Sequence, residues 1–302
     1  MKKVTVSAVL VTYNRINLLK QSIQKILNQN TEALKHLIIV DGASTDGTQA
    51  YLKTLVDDRI STVYLSKNLG GAGGFNAGIR QFYEKTTDDF VWVMDDDSMP
   101  EEDALEKLLE PIFADPMIGW CASKVVWTDK QWAKMNVPGP IDGDKKRIFD
   151  GGENILAIKH ATFVSTIFKR ELVEKIGLPQ KEYFIWGDDI EYTERASREM
   201  SGYLVRRSIV VHASKYNANP GDIVSEKTQS RLPRYLYEYR NRLLTARRRQ
   251  SVIKYIKTLG HTVLDFLKTL ILPSVQYRRQ KLSLIIKGTV NGFKFNPPIE
   301  YL

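Results

Sequence analysis

The first half of the chain alternates short apolar runs with longer segments whose apolar residues recur at helical spacing. The apolar runs predict strands at Val4–Val11, His36–Val40, Ile60–Leu65 and Phe90–Met94. The helical spacing predicts helices at Leu18–Leu27, Asp46–Val56, Phe75–Tyr83 and Glu101–Phe113. Strands that alternate with helices indicate βαβ units and a parallel sheet, so we expect an α/β fold that binds ligands at the carboxyl ends of its strands.

The second half is less regular and ends in helices. Glycines and prolines predict a loop region from Val125 to Gly152. Beyond it the sequence predicts a strand at Ala161–Phe168, helices at Arg170–Ile176 and Asp189–Glu199, and one or two strands in Tyr203–Val211. We expect helix from Leu232 to about Leu272, where Pro273 ends it, and a last helix at Val275–Ile286. The chain is therefore divided into a sheet-containing domain, residues 1–230, and a helical C-terminal region, residues 231–302.

The positive charge is concentrated in the C-terminal region. The 302 residues include 44 Lys and Arg against 35 Asp and Glu, but residues 231–302 carry 15 against 3. This asymmetry predicts an anionic partner for the region. Its apolar residues recur every three or four positions between interleaved lysines, at Val252, Ile256, Leu259, Val263, Phe266, Leu267 and Leu270. That pattern fits a basic helix on an anionic membrane surface, and it equally fits a helix packed on the domain or in a homo-oligomer.

Cysteine usage and hydropathy narrow the class of protein. The single cysteine, Cys121, excludes an internal disulfide or a Cys-rich zinc site and favours a reducing compartment. The start of the chain shows no signal-peptide cleavage site, and no run of about 18 apolar residues predicts a transmembrane helix. We expect a cytoplasmic protein.

Polar residues follow the first two predicted strands. Thr12, Tyr13, Asn14 and Arg15 end the first strand, where polar side chains can hold a base or ribose and Tyr13 can stack on a ring. The alternative is a plain turn with Asn14 as a helix N-cap. After the second strand, Asp41 can accept hydrogen bonds from a nucleotide.

A glycine-rich segment, Asn68–Gly78, precedes the third helix. Five glycines lie within nine residues, which lets the backbone approach a ligand closely. The segment is not a P-loop, because no Gly-Lys-Ser/Thr follows, and it is not a Rossmann fingerprint, because it does not follow the first strand.

Three consecutive aspartates, Asp95-Asp96-Asp97, are the strongest signal for chemistry. They follow an apolar strand, where such close like charges raise carboxylate pKa values unless something neutralises them. A divalent cation with oxygen ligands would do so, and such a cation usually also binds substrate phosphates. The alternative is an exposed acidic turn.

Two further candidates lie in the second half. Asp188 and Asp189 open a predicted helix after Trp186, which fits either two helix caps or a carboxylate base beside an aromatic wall. His212 follows the apolar stretch Ile209–Val211 and is either structural or a metal ligand.

Taken in order, these motifs resemble those of bacterial family 2 glycosyltransferases, whose GT-A fold is a Rossmann-like mixed sheet flanked by helices. The resemblance covers about Val4 to His212. The glycine-rich segment, the aspartate triplet and the Trp before the second acid pair are similar to those of galactofuranosyltransferases and related rhamnosyltransferases. The segment Tyr237–Arg242 is similar to a stretch that follows the catalytic domain in those enzymes.

The resemblance implies a role for each candidate residue. The implied donor-binding residues are Thr12, Tyr13, Asn14, Arg15, Asp41, Asn68, Gly70, Gly71, Asp95, Asp96 and Trp186. The implied ligands of Mn²⁺ or Mg²⁺ are Asp95, Asp97 and His212. Asp189 would be the catalytic base. Gly187 separates Trp186 from the acids, which departs from the galactofuranosyl pattern and leaves open both the sugar and the choice between Asp188 and Asp189.

The resemblance implies inverting transfer of a sugar from a nucleotide-sugar donor to a glycan or polyprenol-linked acceptor in bacterial surface polysaccharide synthesis. UDP-galactofuranose is the expected donor and dTDP-rhamnose the alternative. The enzyme would be peripheral on the inner face of the plasma membrane. A nucleotidyltransferase is disfavoured, because only Arg15 could serve a phosphate-binding loop near the first strand. A nucleic-acid-binding protein is disfavoured because the basic residues lie in the C-terminal region and no known module is present.

Overall fold

The computed structural model describes residues 4–150 and 152–302, so Gly151 of the predicted loop region lies outside the described residues. Strands and helices alternate through the first half, as predicted. The strands are β1 (Val6–Thr12), β2 (Leu34–Asp41), β3 (Ile60–Tyr64), β4 (Phe90–Asp95), β5 (Ser98–Pro100), β6 (Ile118–Trp127), β7 (Gly139–Pro140), β8 (Ile155–His160), β9 (Thr166–Lys169) and β10 (Ser201–His212). The helices are α1 (Ile16–Leu27), α2 (Thr48–Leu52), α3 (Gly70–Lys85), α4 (Ala104–Ala114), α5 (Lys146–Phe149), α6 (Arg170–Ile176), α7 (Asp188–Glu199), α8 (Arg234–Arg248), α9 (Val252–Ile271) and α10 (Arg278–Lys294).

One mixed sheet forms the central layer of the described chain. Its strand order is β3-β2-β1-β4-β9-β6-β10-β8-β7, with β5 paired to β10. Strands β1 to β4 are mutually parallel, and β9 runs antiparallel between β4 and β6. The carboxyl ends of β1, β2 and β4 therefore lie side by side, which brings together the polar motifs that follow them.

Both faces of the sheet are buried. Along β1, Val9 and Val11 enter the apolar cluster on one face, while Ala8 and Leu10 enter the cluster on the other. A strand covered on both faces needs apolar residues at every position, since successive side chains point to opposite sides. This requirement explains the unbroken apolar run that predicted the strand.

The predicted strands and helices of the first half are present, but several elements differ elsewhere. The prediction missed β6, which lies mostly before the predicted loop region, overlaps its first three residues and pairs with β9 and β10. Its Gly119, Ser123 and Lys124 weaken the apolar signal. The prediction also missed β8, which is an antiparallel neighbour of β10.

The expected helical stretch from Leu232 to about Leu272 is present, with one interruption. It is two helices, α8 and α9, separated at Gln250, whose φ is +52°. The side chain of Ser251 caps α9 by accepting a hydrogen bond from Lys254 N. A Ser at this position is a helix-start signal that the periodic apolar pattern obscured.

The C-terminal region packs against the sheet-containing part of the chain. Helix α8 contacts α7, α9 and α10, and the last residues return to the sheet side, where Leu178 N donates to Glu300 O at 2.8 Å. Arg80 forms an ion pair with Glu300 at 2.7 Å. The division at residue 230 stays a prediction. Among the described helices, none is both long and apolar enough to cross a bilayer.

Glycines inside α3 allow the helix to lie close to the sheet. A Cβ at Gly78 would lie 2.3 Å from Val9 Cγ1 and 3.1 Å from Val40 Cγ2. Helix α3 begins at Gly70 rather than at the predicted Phe75, so most of the glycine-rich segment is helical. At Gly78, therefore, the missing side chain is explained by packing on β1 and β2 rather than by a ligand.

We expect Gly78→Ala to lower the free energy of unfolding by about 1–3 kcal/mol through overpacking. The overpacking cost outweighs the gain in helix propensity of about 1 kcal/mol that replacing glycine by alanine ordinarily brings. Gly260→Ala in α9 is the matched control, since a Cβ at that position would meet no atom within 4 Å, and we expect it to stabilise the protein. Urea denaturation of both variants measures the difference, and equal stabilisation by the two would contradict the packing argument.

Candidate active site

The aspartate triplet lies at the carboxyl end of β4, next to the end of β1. Thr12 Oγ1 donates a hydrogen bond of 2.8 Å to Asp96 Oδ2. Arg15 Nη1 lies 3.1 Å from Asp96 Oδ1 and 2.6 Å from Asp97 Oδ2. The residues that end the first strand therefore neutralise two of the three aspartates. Thr12 is buried, and its hydroxyl is directed to Asp96, so its hydrogen bond fixes the orientation of that carboxylate.

His212 reaches the same triplet from the end of β10. Its Nε2 lies 3.3 Å from Asp97 Oδ1, and its Nδ1 lies 2.9 Å from Asn136 Oδ1. Asp97 Oδ1 is buried and no hydrogen bond of good geometry reaches it. A buried carboxylate oxygen beside an imidazole nitrogen fits one side of a site for a divalent cation, and Asn136 fixes the orientation of the ring.

Burial and mutual repulsion set the protonation of the triplet. Burial raises the pKa of Asp95 well above its ordinary value, and the charges of Asp97 and Asp96 add to the shift. Burial also raises the pKa of Asp96, to about 6, although Arg15 opposes it. Burial would raise the pKa of Asp97 too, but His212 and Arg15 outweigh it and lower that pKa. Asp97 is therefore the member of the triplet that stays ionised most readily.

The three predicted metal ligands are only partly assembled. Asp97 and His212 are in contact, and Asp95 is close enough for the charge of Asp97 to raise its pKa. Within residues 4–150 and 152–302, no group of three or more His, Cys, Asp or Glu side chains is arranged to hold a metal ion. The second oxygen of Asp97 faces Arg15.

The predicted nucleoside-binding residues lie at the ends of β1 and β2. Asp41 is buried, and its carboxylate accepts hydrogen bonds from Ser44 N at 3.2 Å and Gln49 Nε2 at 2.8 Å. Asn14, with φ +53°, accepts a hydrogen bond from Thr45 N at 2.7 Å and ties the two strand ends together. Tyr13 is 44% exposed beside them. Its free ring face can stack on a base.

The start of α3 borders the same edge of the sheet. Asn68 Oδ1 accepts a hydrogen bond of 2.7 Å from Gly70 N. Gly70 has φ +71°, and a Cβ there would lie 1.9 Å from Phe184 O, so only glycine fits. A Cβ at Gly71 would have open space around it, with Phe75 as its nearest neighbour at 4.0 Å. The predicted approach of backbone to a ligand is therefore possible at Gly71, whereas Gly70 contacts protein.

The second acid pair follows a strained turn. Phe184 and Trp186 have φ of +64° and +63°, and Gly187, with φ +92°, precedes α7. A positive φ is costly for aromatic residues, whereas it favours glycine, which explains Gly187 between Trp186 and the acids. Asp188 is buried and close enough to Asp95 for its charge to raise the pKa of Asp95. The start of α7 therefore lies near the aspartate triplet, although the two motifs are far apart in sequence.

Asp188 and Asp189 differ in environment. Burial raises the pKa of Asp188 well above its ordinary value, with the charge of Asp189 adding to the effect. Burial raises the pKa of Asp189 to about 6, against hydrogen bonds from backbone N–H groups. Asp189 Oδ1 accepts a hydrogen bond of 2.7 Å from Ile190 N, and its side chain is less buried than that of Asp188. Asp189 is thus the better placed of the two to meet a substrate.

Asn241 of α8 holds the strained turn in place, a function that the sequence did not reveal. Its Nδ2 lies 2.9 Å from each of three carbonyl oxygens, those of Tyr183, Ile185 and Trp186. The similarity of the Tyr237–Arg242 segment to known enzymes marked the region without indicating a role. Backbone carbonyls turned toward one buried amide could not be inferred from residue types alone.

A second feature missed from the sequence is the proximity of three arginines, Arg15, Arg231 and Arg234. Burial lowers the pKa of Arg234, and the charges of Arg231 and Arg15 lower it further. No carboxylate of the described residues lies within ion-pair distance of Arg234, although it lies at the start of α8 near an acidic site. The C-terminal region therefore brings a guanidinium close enough to Arg15 for the charge of Arg15 to affect its pKa.

The chain is similar to known proteins in its family and in its fold. A model of the family described as Glycosyl transferase family 2 matches residues 7–177. Galactofuranosyltransferase GlfT1 of Mycobacterium tuberculosis is 27% identical over 210 residues. The match covers 64% of this chain and 65% of the relative, so the chain spans just under two-thirds of the length of that protein.

Two solved structures resemble the fold. The mannosyltransferase PcManGT from Pyrobaculum calidifontis, in complex with GDP-Man and Mn²⁺, aligns with a TM-score of 0.56 at 18% identity, covering 95% of this chain and 86% of its own. GalNAc-T7 with UDP, GalNAc and Mn²⁺ aligns with a TM-score of 0.61 at 13% identity, covering 96% and 56%. Identities this low establish a likeness of fold alone.

We expect Asn241→Leu to lower the free energy of unfolding by about 1–3 kcal/mol, because it leaves buried carbonyl oxygens without their donor. Amide hydrogen exchange at residues 183–189 should accelerate more than exchange in β1, since the strain of the turn is released locally. Asn291→Leu on the exposed surface of α10 is the control and should change stability by about 0.5 kcal/mol or less. Matching exchange rates in the Asn241 variant and the wild type would rule out this role.

Proposed function

The chain belongs to glycosyl transferase family 2, and from that premise we propose that it transfers galactofuranose from UDP-galactofuranose to a glycan or polyprenol-linked acceptor. The likeness to two solved glycosyltransferases confirms the predicted GT-A fold. The observation that carries the proposal is the proximity of two acidic motifs, since Asp188 is close enough to Asp95 for its charge to raise the pKa of Asp95. The similarity to a protein named galactofuranosyltransferase supports the choice of sugar.

Asp97, His212 and Asp95 would hold Mn²⁺ or Mg²⁺ in this proposal. The buried, unbonded oxygen of Asp97 beside the imidazole of His212 supports the assignment. The ion, when bound, neutralises negative charge on the diphosphate of the donor. Arg15 pairs with the other carboxylate oxygen of Asp97. Arg15 therefore has to share that carboxylate with the ion or release it.

Arg234 and Arg231 are proposed to face the donor diphosphate from α8 and the turn before it. Burial and the charges of Arg231 and Arg15 lower the pKa of Arg234, and a dianion placed between these arginines and the aspartate triplet would offset the lowering. Tyr13, Asn14 and Asp41 would then surround the nucleoside at the other end of the donor.

Asp189 is proposed to act as the base. The acceptor hydroxyl attacks the anomeric carbon, its proton passes to the Asp189 carboxylate, and the bond from that carbon to the diphosphate oxygen breaks. Displacement from the opposite side inverts the anomeric centre. The strained turn fixes the start of α7, and Trp186 offers an aromatic wall beside the reacting sugar.

The cellular location is proposed to be cytoplasmic and peripheral on the inner face of the plasma membrane, where polyprenol-linked acceptors for surface polysaccharides are found. A dTDP-rhamnose donor is the second candidate, because Gly187 departs from the pattern of galactofuranosyl enzymes. An assay of nucleotide release with UDP-galactofuranose and with dTDP-rhamnose distinguishes the two candidate donors.

We expect Asp189→Asn to slow release of UDP from UDP-galactofuranose by about 10²- to 10⁴-fold while UDP binding is retained. In the wild type, Asp189 is active as the carboxylate, so the rate should be full above its pKa of about 6 and fall as the pH is lowered through that value. The measurement is a coupled assay for UDP across a pH series, with dTDP-rhamnose assayed in parallel. A wild-type rate in the variant would exclude Asp189 as the base.

We expect Asp97→Ala to weaken binding of Mn²⁺ at least tenfold in the presence of UDP, because it removes the ionised ligand of the triplet. Electron paramagnetic resonance of free Mn²⁺ measures the affinity. Asp58→Ala, which removes an exposed carboxylate elsewhere, is the control for net charge. Equal Mn²⁺ affinity in both variants would remove Asp97 from the proposed site.

A further inference from the structure

Helix α9 has the reverse of the usual arrangement for a surface helix, with its polar side facing the protein. Thr262 and Thr269 are 5% and 0% exposed, and Thr258 and Asp265 are partly buried on the same side. Hydroxyls and a carboxylate therefore occupy the face that ordinarily carries apolar residues. The predicted apolar stripe is only partly used for packing, since Phe266 packs against the cluster around Tyr235 and Tyr239.

An ion pair with α8 fixes this orientation. Asp265 Oδ2 accepts a hydrogen bond of 2.9 Å from Tyr239 Oη and lies 3.0 Å from Arg242 Nη1. Rotating α9 so that its apolar side faced the protein would break both contacts of Asp265 with α8. The outward direction of the apolar side is thus set by the structure of α8.

The outer face of α9 is an exposed apolar surface that we name the α9 apolar face. Its side chains are between 43% and 75% exposed and comprise Val252, Ile253, Ile256, Val263, Leu264, Leu267, Leu270 and Ile271. At about 100° per residue these positions span an arc of about 120°. A continuous exposed apolar surface of this kind marks an interaction site for a protein or a membrane.

Charge identifies what binds there. Lys254, Lys257 and Lys268 are exposed on the arc that adjoins the α9 apolar face. The single acid within α9 is Asp265, which is already paired with Arg242. The surface therefore presents apolar side chains bordered by uncompensated positive charge.

We propose that α9 binds the surface of an anionic lipid bilayer, lying parallel to it with the α9 apolar face in the acyl boundary and the three lysines at the headgroups. Lysines beside an apolar arc match anionic headgroups above a hydrocarbon layer. A second copy in an antiparallel two-fold contact fits less well, because that contact would bring the lysine rows of both copies together. The helix lies on the bilayer rather than across it, since none of the described helices is long and apolar enough to cross.

This orientation of α9 has a consequence for the active site. Only this consequence rests on the proposed function. Helix α8 contacts α9 through Tyr239 and Arg242 and contacts the turn before Asp188 through Asn241. Helix α8 therefore connects the membrane-binding helix to the turn that carries the acid pair, so the bilayer surface and the proposed reaction centre are held in a fixed relation.

The test is flotation of the full chain with vesicles of phosphatidylcholine alone and of phosphatidylcholine mixed with phosphatidylglycerol. No nucleotide sugar is present, so the result is independent of the proposed transfer reaction. We expect binding to the mixed vesicles only. Val263→Gln with Leu267→Gln should weaken it about tenfold or more, and Lys257→Gln with Lys268→Gln should weaken it about fivefold for each lysine.

The matched controls are Val56→Gln, at a side chain that is 98% exposed, and Lys53→Gln beside it; both should bind like the wild type. Unchanged circular dichroism verifies that the α9 variants are folded, as their exposed positions predict. Equal binding to both kinds of vesicle, or unchanged binding by the α9 variants, would overturn the proposal. So would self-association of the wild type in sedimentation that the Val263/Leu267 variant loses, since the face would then join two copies.

Discussion

The accumulation of buried carboxylates at one edge of the sheet is the constraint on which the rest of the site depends. Asp95 ends β4, Asp96 and Asp97 follow it, and Asp188 approaches them from α7. Charges this close cannot all persist in a buried place without compensation. Arg15 supplies part of it from the end of β1, and His212 supplies more from the end of β10. A central sheet with β1 beside β4 is what brings these residues together.

The second constraint is the strained turn that leads into α7. Two aromatic residues with positive φ persist because neighbouring elements fix the turn from both sides. Gly70 at the start of α3 leaves room for Phe184 O, and Asn241 of α8 binds three carbonyls. The C-terminal region thus takes part in forming the site, since α8 supports the acid pair on one side and fixes the outward face of α9 on the other.

Much of the fold could be predicted from the sequence, because strands buried on both faces need unbroken apolar runs. Asp97, His212 and Asp189 could be proposed because acidic and imidazole side chains at strand and helix ends carry a recognisable signal. Strand β6 was missed because Gly119, Ser123 and Lys124 interrupt its apolar pattern. Asn241 and Arg234 were missed because their roles depend on where α8 packs, which no local pattern specifies. For Gly78, the sequence predicted closeness to a ligand, whereas the structure shows closeness to Val9 and Val40.

The central claim is that the two acidic motifs form one site for a nucleotide sugar and a divalent cation. Calorimetric titration of UDP, dTDP and GDP into the full chain, each with Mn²⁺ and with EDTA, tests it most directly. The account predicts that UDP binds with Mn²⁺ and loses its affinity in EDTA, with dTDP and GDP weaker. Binding of UDP that EDTA leaves unchanged, or no binding of any of the three nucleotides, would contradict it.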